Sequence, residues 1–193
     1  MKRALAIVAH PDDETIWMGG TILNSKNIKW TIFSLCRAND PDRSSKFKKV
    51  CQCYGAVGIM SGLEDEGIMS AQESIPEIKK RISNLFRDKN FDYIFTHGQN
   101  GEYGHERHVG THLAVKQLIR ERIITCKKLF FFAYDLDSGN KIVNNKTDFS
   151  IRLDNDLLTA KKNIIERLYG FKNDSFEYLS CLPEETYENI NFS

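Results

Sequence analysis

The sequence predicts an α/β fold, Rossmann-like and doubly wound, with a mostly parallel sheet and helices on both faces. Apolar runs of strand length alternate with segments of helical period, and turn residues separate them. Val, Ile, Leu and Phe dominate the runs, as strands buried on both faces require. The two chemically unusual segments of the chain, around His10 and around His105, each follow such a run. In an open α/β sheet that position is the carboxyl edge, where ligands collect.

The first strand, Arg3 to Ala9, is an apolar run that stops at His10-Pro11, too short for the apolar region of a secretory signal. A helix over 13–25 begins at Asp12-Asp13-Glu14, acids that suit a helix N-terminus. Gly19-Gly20 inside it reads as a small-residue face for close packing or as the end of a short helix. Strands then follow at Ile28 to Cys36, Val57 to Ser61, Tyr93 to Thr96 and Lys128 to Ala133, separated by helices over 43–54, 73–89 and 105–124. Asp135 to Asp148 is polar and reads as a loop or edge hairpin, and a last helix covers 155–169. The length of 193 residues suits one domain, 1–193.

Lys and Arg number 27 against 26 Asp and Glu, so the formal charge of +1 gives no electrostatic reason to expect nucleic acid or an anionic membrane as partner. No stretch approaches the roughly 20 apolar residues of a membrane span. Five cysteines, an odd number, suit reduced thiols and a cytoplasmic location rather than a disulfide framework. A small-molecule partner is the expectation, with homo-oligomerisation left open.

Only five histidines occur, and four of them, His97, His105, His108 and His112, fall close together. His10-Pro11-Asp12-Asp13 puts an imidazole and two carboxylates at a strand-to-helix turn, which Pro11 stiffens by fixing its own φ and restricting His10. His10 and Asp13 could bind one cation from the same side, leaving Asp12 to face a water on it; the plainer reading is that the acids only cap the helix. After the glycine-rich loop 98–104, His105, His108 and His112 stand at i, i+3 and i+7 on one helix face. His112, a turn further into the helix, reads as a hydrogen-bonded packing residue, while His105 and His108, with His10 and Asp13, supply the two-His-plus-carboxylate set of catalytic zinc sites and of the non-haem iron facial triad. Such a set suits Zn2+ or another divalent metal such as Fe2+. Spacing leaves the third ligand open, because His108 and His112 at i, i+4 could also chelate as a pair. His97 is either a partner that orients a ligand or a plain strand-end residue.

Ala9-His10-Pro11-Asp12-Asp13-Glu14, followed by Gly101-Glu102-Tyr103-Gly104-His105-x-x-His108, closely resembles the PIG-L/LmbE-like family of zinc-dependent N-deacetylases. That family includes N-acetylglucosaminyl-phosphatidylinositol deacetylase and the deacetylases of mycothiol and bacillithiol synthesis. The resemblance covers about residues 3–125. It implies zinc ligands His10, Asp13 and His108, a general base Asp12, and assistance at the reacting carbonyl from Tyr103 and His105. Arg43, twelve residues before Gly55, and Asp65, within Ser61-Gly62-Leu63-Glu64-Asp65-Glu66-Gly67, resemble the family's substrate-binding pair, which hydrogen-bonds sugar hydroxyls. The chain departs from the pattern at Glu106 and Arg107, where Pro and Asp are frequent, and at Lys46, where Glu is. An arginine cannot hold a neighbouring histidine as a carboxylate does, which makes Glu102 or Glu106 the candidate to orient His105.

The implied activity is hydrolysis of an N-acetyl group from an N-acetylglucosamine-type sugar or conjugate, giving acetate and a free amino sugar. The alternative is a metal-dependent hydrolase of the same fold acting on a non-sugar amide or ester. A nucleotide-binding module would need a glycine-rich phosphate loop after the first strand, where this chain has His10-Pro11-Asp12-Asp13.

Overall fold

The computed structural model describes residues 1–145, 147 and 149–192. Five parallel strands, β1 (Lys2–Val8), β2 (Ile28–Cys36), β3 (Val57–Leu63), β4 (Asn90–Thr96) and β5 (Thr125–Phe132), lie in the order β3-β2-β1-β4-β5. A separate hairpin of β6 (Tyr134–Leu136) and β7 (Ile142–Asn144) occupies the polar stretch after β5. Among the described residues it pairs only with itself rather than extending the sheet edge, and Lys146 and Asp148, at the far end of that predicted stretch, lie outside them. The main sheet ends instead with two antiparallel strands, β9 (Glu184–Asn191) beside β5 and β8 (Phe149–Arg152) outside it. The architecture is thus a mixed α/β fold with a seven-stranded, mostly parallel sheet flanked by helices, as the sequence predicts.

Side chains alternate across β1, which places Ala4, Ala6 and Val8 on one face and Leu5 and Ile7 on the other. The first face is covered by α1 (Asp13–Asn24) and α2 (Pro41–Cys53), through Trp17, Ile22, Phe47 and Val50. The second is covered by α3 (Ala71–Phe86) and, after a single turn α4 (Gly101–Gly104), by α5 (Glu106–Arg120), through Ile78, Ile82, Val115 and Leu118. Because the chain crosses from β3 back over β1 to reach β4, connections diverge at the carboxyl ends of β1 and β4, the place where such sheets open a crevice. α6 (Asn155–Asn163) leans on α1, continues into a π-helical turn at Ile164–Tyr169, and is followed by the short α7 (Phe176–Leu179). No helix among the described residues is long and apolar enough to cross a membrane.

Two departures from the predicted elements have clear causes. The helix expected over 105–124 starts one residue later, because His105 has extended backbone and caps α5, its Nδ1 accepting the Arg107 N–H at 3.2 Å. The other concerns α1, which is broken at Met18 (φ −148°, ψ 17°). The N–H groups freed at the start of its second half, on Gly20 and Thr21, donate to the Glu185 carboxylate of β9 at 2.8 and 2.7 Å. The Lys161 ammonium completes this buried cluster, 2.7 Å from Glu185 Oε1. A Cβ on Gly20 would come within 2.3 Å of Leu153, so the glycine permits close packing at this point.

Candidate functional site

The turn leaving β1 carries the first half of the site. Asp12 stands at the N-cap of α1 with φ 142°, a conformation that costs a non-glycine residue on the order of 1–3 kcal/mol. Its carbonyl accepts the N–H groups of Thr15 and Ile16, and its own N–H donates to Glu14 Oε2 at 3.1 Å. Glu14 is completely buried, its Oε1 accepting the hydroxyls of Thr15 and Tyr169 at 2.6 Å each, and burial raises its pKa to about 7. The Glu14 cluster therefore holds the strained turn from behind while Asp12 and Asp13 face a cleft.

Three donor atoms converge at the bottom of that cleft. His10 Nδ1 and His108 Nε2 are 3.2 Å apart, and Asp13 Oδ2 lies 3.3 Å from the first and 3.4 Å from the second. For zinc bonds of about 2.0–2.1 Å, one edge of a ligand tetrahedron measures about 3.3–3.4 Å. The residues present thus fit a small divalent cation, by their spacing and by their nitrogen and carboxylate chemistry. Each imidazole has a carboxylate on its far nitrogen, an arrangement usual for metal-binding histidines. Glu102 Oε2 takes His108 Nδ1 at 2.5 Å, and Asp65 Oδ1 takes His10 Nε2 at 2.9 Å. Burial lowers the His10 pKa, but hydrogen bonds to Asp13 and Asp65 outweigh it and raise it to about 9, so the cluster favours positive charge. Asp13 is likewise buried, and His108, His97 and His10 around it hold its pKa well below the usual carboxylate range.

His10, His105 and His108, or Asp13, His97 and His108, are also close enough to hold an ion. His97 Nε2, however, already accepts the Ala9 N–H at 2.9 Å, while its Nδ1 meets Glu102 Oε2 at 2.8 Å. His97 is therefore a buttress, stacked on the His108 ring at 3.8 Å. His112 points elsewhere: its Nδ1 meets the His97 carbonyl at 3.0 Å and its ring lies against Phe131. Of the two histidines that spacing left open, the structure brings only His108 into the triangle of donors.

The cleft walls contain every other predicted site residue. Asp12, Tyr103, His105, Arg43 and Asp65 all line it. Burial and the Asp13 carboxylate push Asp12 well above its ordinary pKa, against the pull of Arg43, whose Nη1 is 3.0 Å from Asp12 Oδ2. Arg43 also lies over the Phe171 ring. Burial, with the Asp13 and Asp12 carboxylates, raises Tyr103 and keeps it a phenol. Burial, then the neighbouring His108 and His10, lowers His105 to about 4. With its Nδ1 accepting a backbone N–H, the neutral His105 ring carries its proton on Nε2. Both oxygens of Asp65 are engaged, one by His10 and one by Arg37 Nη2 at 2.9 Å.

Sequence reasoning missed four contributors. Glu102, a candidate from sequence to orient His105, holds His97 and His108 instead. Its backbone is left-handed (φ 60°) inside a glycine-rich turn, and no spacing rule reveals which side chains such a residue reaches. Arg37 gave no signal. Phe176 and Glu177, which close the cleft from α7, lie beyond the stretch where any motif is recognisable.

The family model described as PIG-L: GlcNAc-PI de-N-acetylase matches residues 5–119. A relative from Acanthamoeba polyphaga mimivirus, uncharacterized protein L374, is 26% identical over 153 residues, which are 70% of this chain; the chain spans 64% of that protein's length. Among solved structures, N,N'-diacetylchitobiose deacetylase from Pyrococcus horikoshii superposes with a TM-score of 0.70 at 14% identity, over 98% of this chain and 84% of that one. The A40926 pseudoaglycone deacetylase Dbv21 gives 0.66 at 17%, over 100% and 98%. GalB, the 4-carboxy-2-hydroxymuconate hydratase of Pseudomonas putida KT2440, gives 0.64 at 14%, over 93% and 83%. At these identities the likeness is one of fold, which deacetylases and a hydratase share.

Proposed function

The chain belongs to the PIG-L family of GlcNAc-PI de-N-acetylases, and from that premise we propose that it is a metal-dependent deacetylase of an N-acetylglucosamine-type sugar or sugar conjugate. The observation that carries this reading is the triangle of His10 Nδ1, Asp13 Oδ2 and His108 Nε2 beside the carboxylate of Asp12. These three residues would hold the ion, with Zn2+ the choice for two imidazoles and one carboxylate and Fe2+ the alternative. Bound there, zinc supplies a Lewis acid that brings the pKa of water to about 7 and polarises a carbonyl.

Asp12 takes the proton of the attacking water, held in place by Arg43 and by the strained turn behind it. The Tyr103 phenol, kept protonated, donates a hydrogen bond to the oxyanion that forms as the acetyl carbonyl is attacked. His105, neutral with its proton on Nε2, stands 4.7 Å from the His10 ring on the cleft wall, where it can donate a hydrogen bond to the oxyanion, while Asp12, once protonated, passes the proton it took from water to the departing nitrogen, so that the products are acetate and the free amine. Arg43, Arg37 and Asp65 offer donors and acceptors for sugar hydroxyls, while the exposed Phe176 offers aromatic surface to the ring.

The test is acetate release from N-acetylglucosamine and its conjugates, with zinc present and after chelation. Asp12→Asn should keep one metal per chain and lose about 10²–10⁴-fold in rate. Wild-type activity in that variant would sink the general-base role, and activity confined to esters or non-sugar amides would sink the substrate class.

A further inference from the structure

Arg107 stands two residues after His105 and directly before His108, where the sequence carries arginine in place of the carboxylate its resemblance leads one to expect. It is only 2% exposed. Its guanidinium leaves α5 for the loop between β3 and α3, pairing with Glu64 Oε1 at 2.6 Å and reaching the carbonyls of Met69 and of Ser70 (3.4 Å). Glu64 in turn accepts the N–H groups of Glu66, Ile68 and Met69. Residues 64–70 are therefore wound around one ion pair, and at their end Ser70 opens α3 with a capping box. Inside this loop sits Asp65, the carboxylate on His10 Nε2.

We propose that Arg107 is a positioning residue: it fixes the 64–70 loop so that Asp65 holds His10 with Nδ1 turned to the metal site. This rests on the reading of His10 as a ligand. It also gives the arginine a function, since a carboxylate at 107 would face Glu64 with like charge. The His105 ring is left to the Arg107 backbone N–H, and the Arg107 side chain serves the other half of the site.

Co2+ is the probe, read by its visible absorption and by competition with a chromophoric chelator, on the full chain. Arg107→Met should weaken Co2+ binding about 10–100-fold and change the absorption spectrum, the cost usual for losing an outer partner of a metal ligand. Asp65→Asn should do the same. The double variant should be no worse than the worse single one, because both act through His10. Arg107→Lys keeps the charge but cannot reach Glu64 and two carbonyls as the planar fork does, so it should fold as wild type and lie between wild type and Arg107→Met in affinity. Wild-type affinity and spectrum in folded Arg107→Lys and Arg107→Met would overturn the proposal. So would additive losses in the double variant, or a wild-type chain that binds no Co2+. Should the coupling appear while no acetate is released from any sugar, the positioning role stands and the proposed activity falls.

Discussion

At the scale of single residues, the site is a matter of which nitrogen faces where. His108 and His112 share a helix face and a residue type, yet one has its proton drawn to Glu102 and its lone pair left toward the cleft, and the other is bonded to the carbonyl of His97. His108→Ala should therefore lose the metal, measured as metal per chain by elemental analysis, while His112→Ala should keep it and lose on the order of 1–3 kcal/mol of stability, the cost of leaving a buried carbonyl unpaired. The reverse result would transfer the ligand role to His112. His10, Asp12 and Asp13 were legible because a rigid turn after a strand presents them in consecutive order. Glu102 was not, since its reach depends on a left-handed backbone that no neighbouring residue type announces.

At the scale of elements, α1 connects the first site segment to the far edge of the sheet. Its break at Met18 exposes N–H groups that Glu185 caps, and Lys161 neutralises Glu185 in a completely buried pair. Glu185→Ala should cost about 3–5 kcal/mol in urea unfolding, since it strands the Lys161 charge. Adding Lys161→Met should recover most of that loss, and a single-variant cost under about 1 kcal/mol would show that the pair is not what secures α1. The same pair explains why β9 was not predicted. Glu184-Glu185-Thr186-Tyr187-Glu188-Asn189-Ile190-Asn191 has the polarity of a surface loop. Its burial becomes possible only once a lysine from α6 and the opened turn of α1 satisfy Glu185. The five parallel strands carry their burial in their own apolar side chains and were legible from them.

At the scale of the whole molecule, the two halves of the site meet because β1 and β4 are neighbours in the sheet although the 81 residues between Val8 and Asn90 separate them in sequence. The melting temperature of metal-free protein should rise with added zinc in proportion to the logarithm of free metal above its dissociation constant, as binding to the folded state alone requires. A melting temperature indifferent to zinc would mean that no such site forms. The separation of His10 and His108 by 98 positions has a further meaning. An ion bound to both closes a loop of that length, the operation a disulfide performs, for which the chain-entropy account gives on the order of 4–5 kcal/mol. Unlike a disulfide it needs no oxidant and opens on chelation, so the cation would serve the chain as a reversible cross-link between the turn after β1 and helix α5.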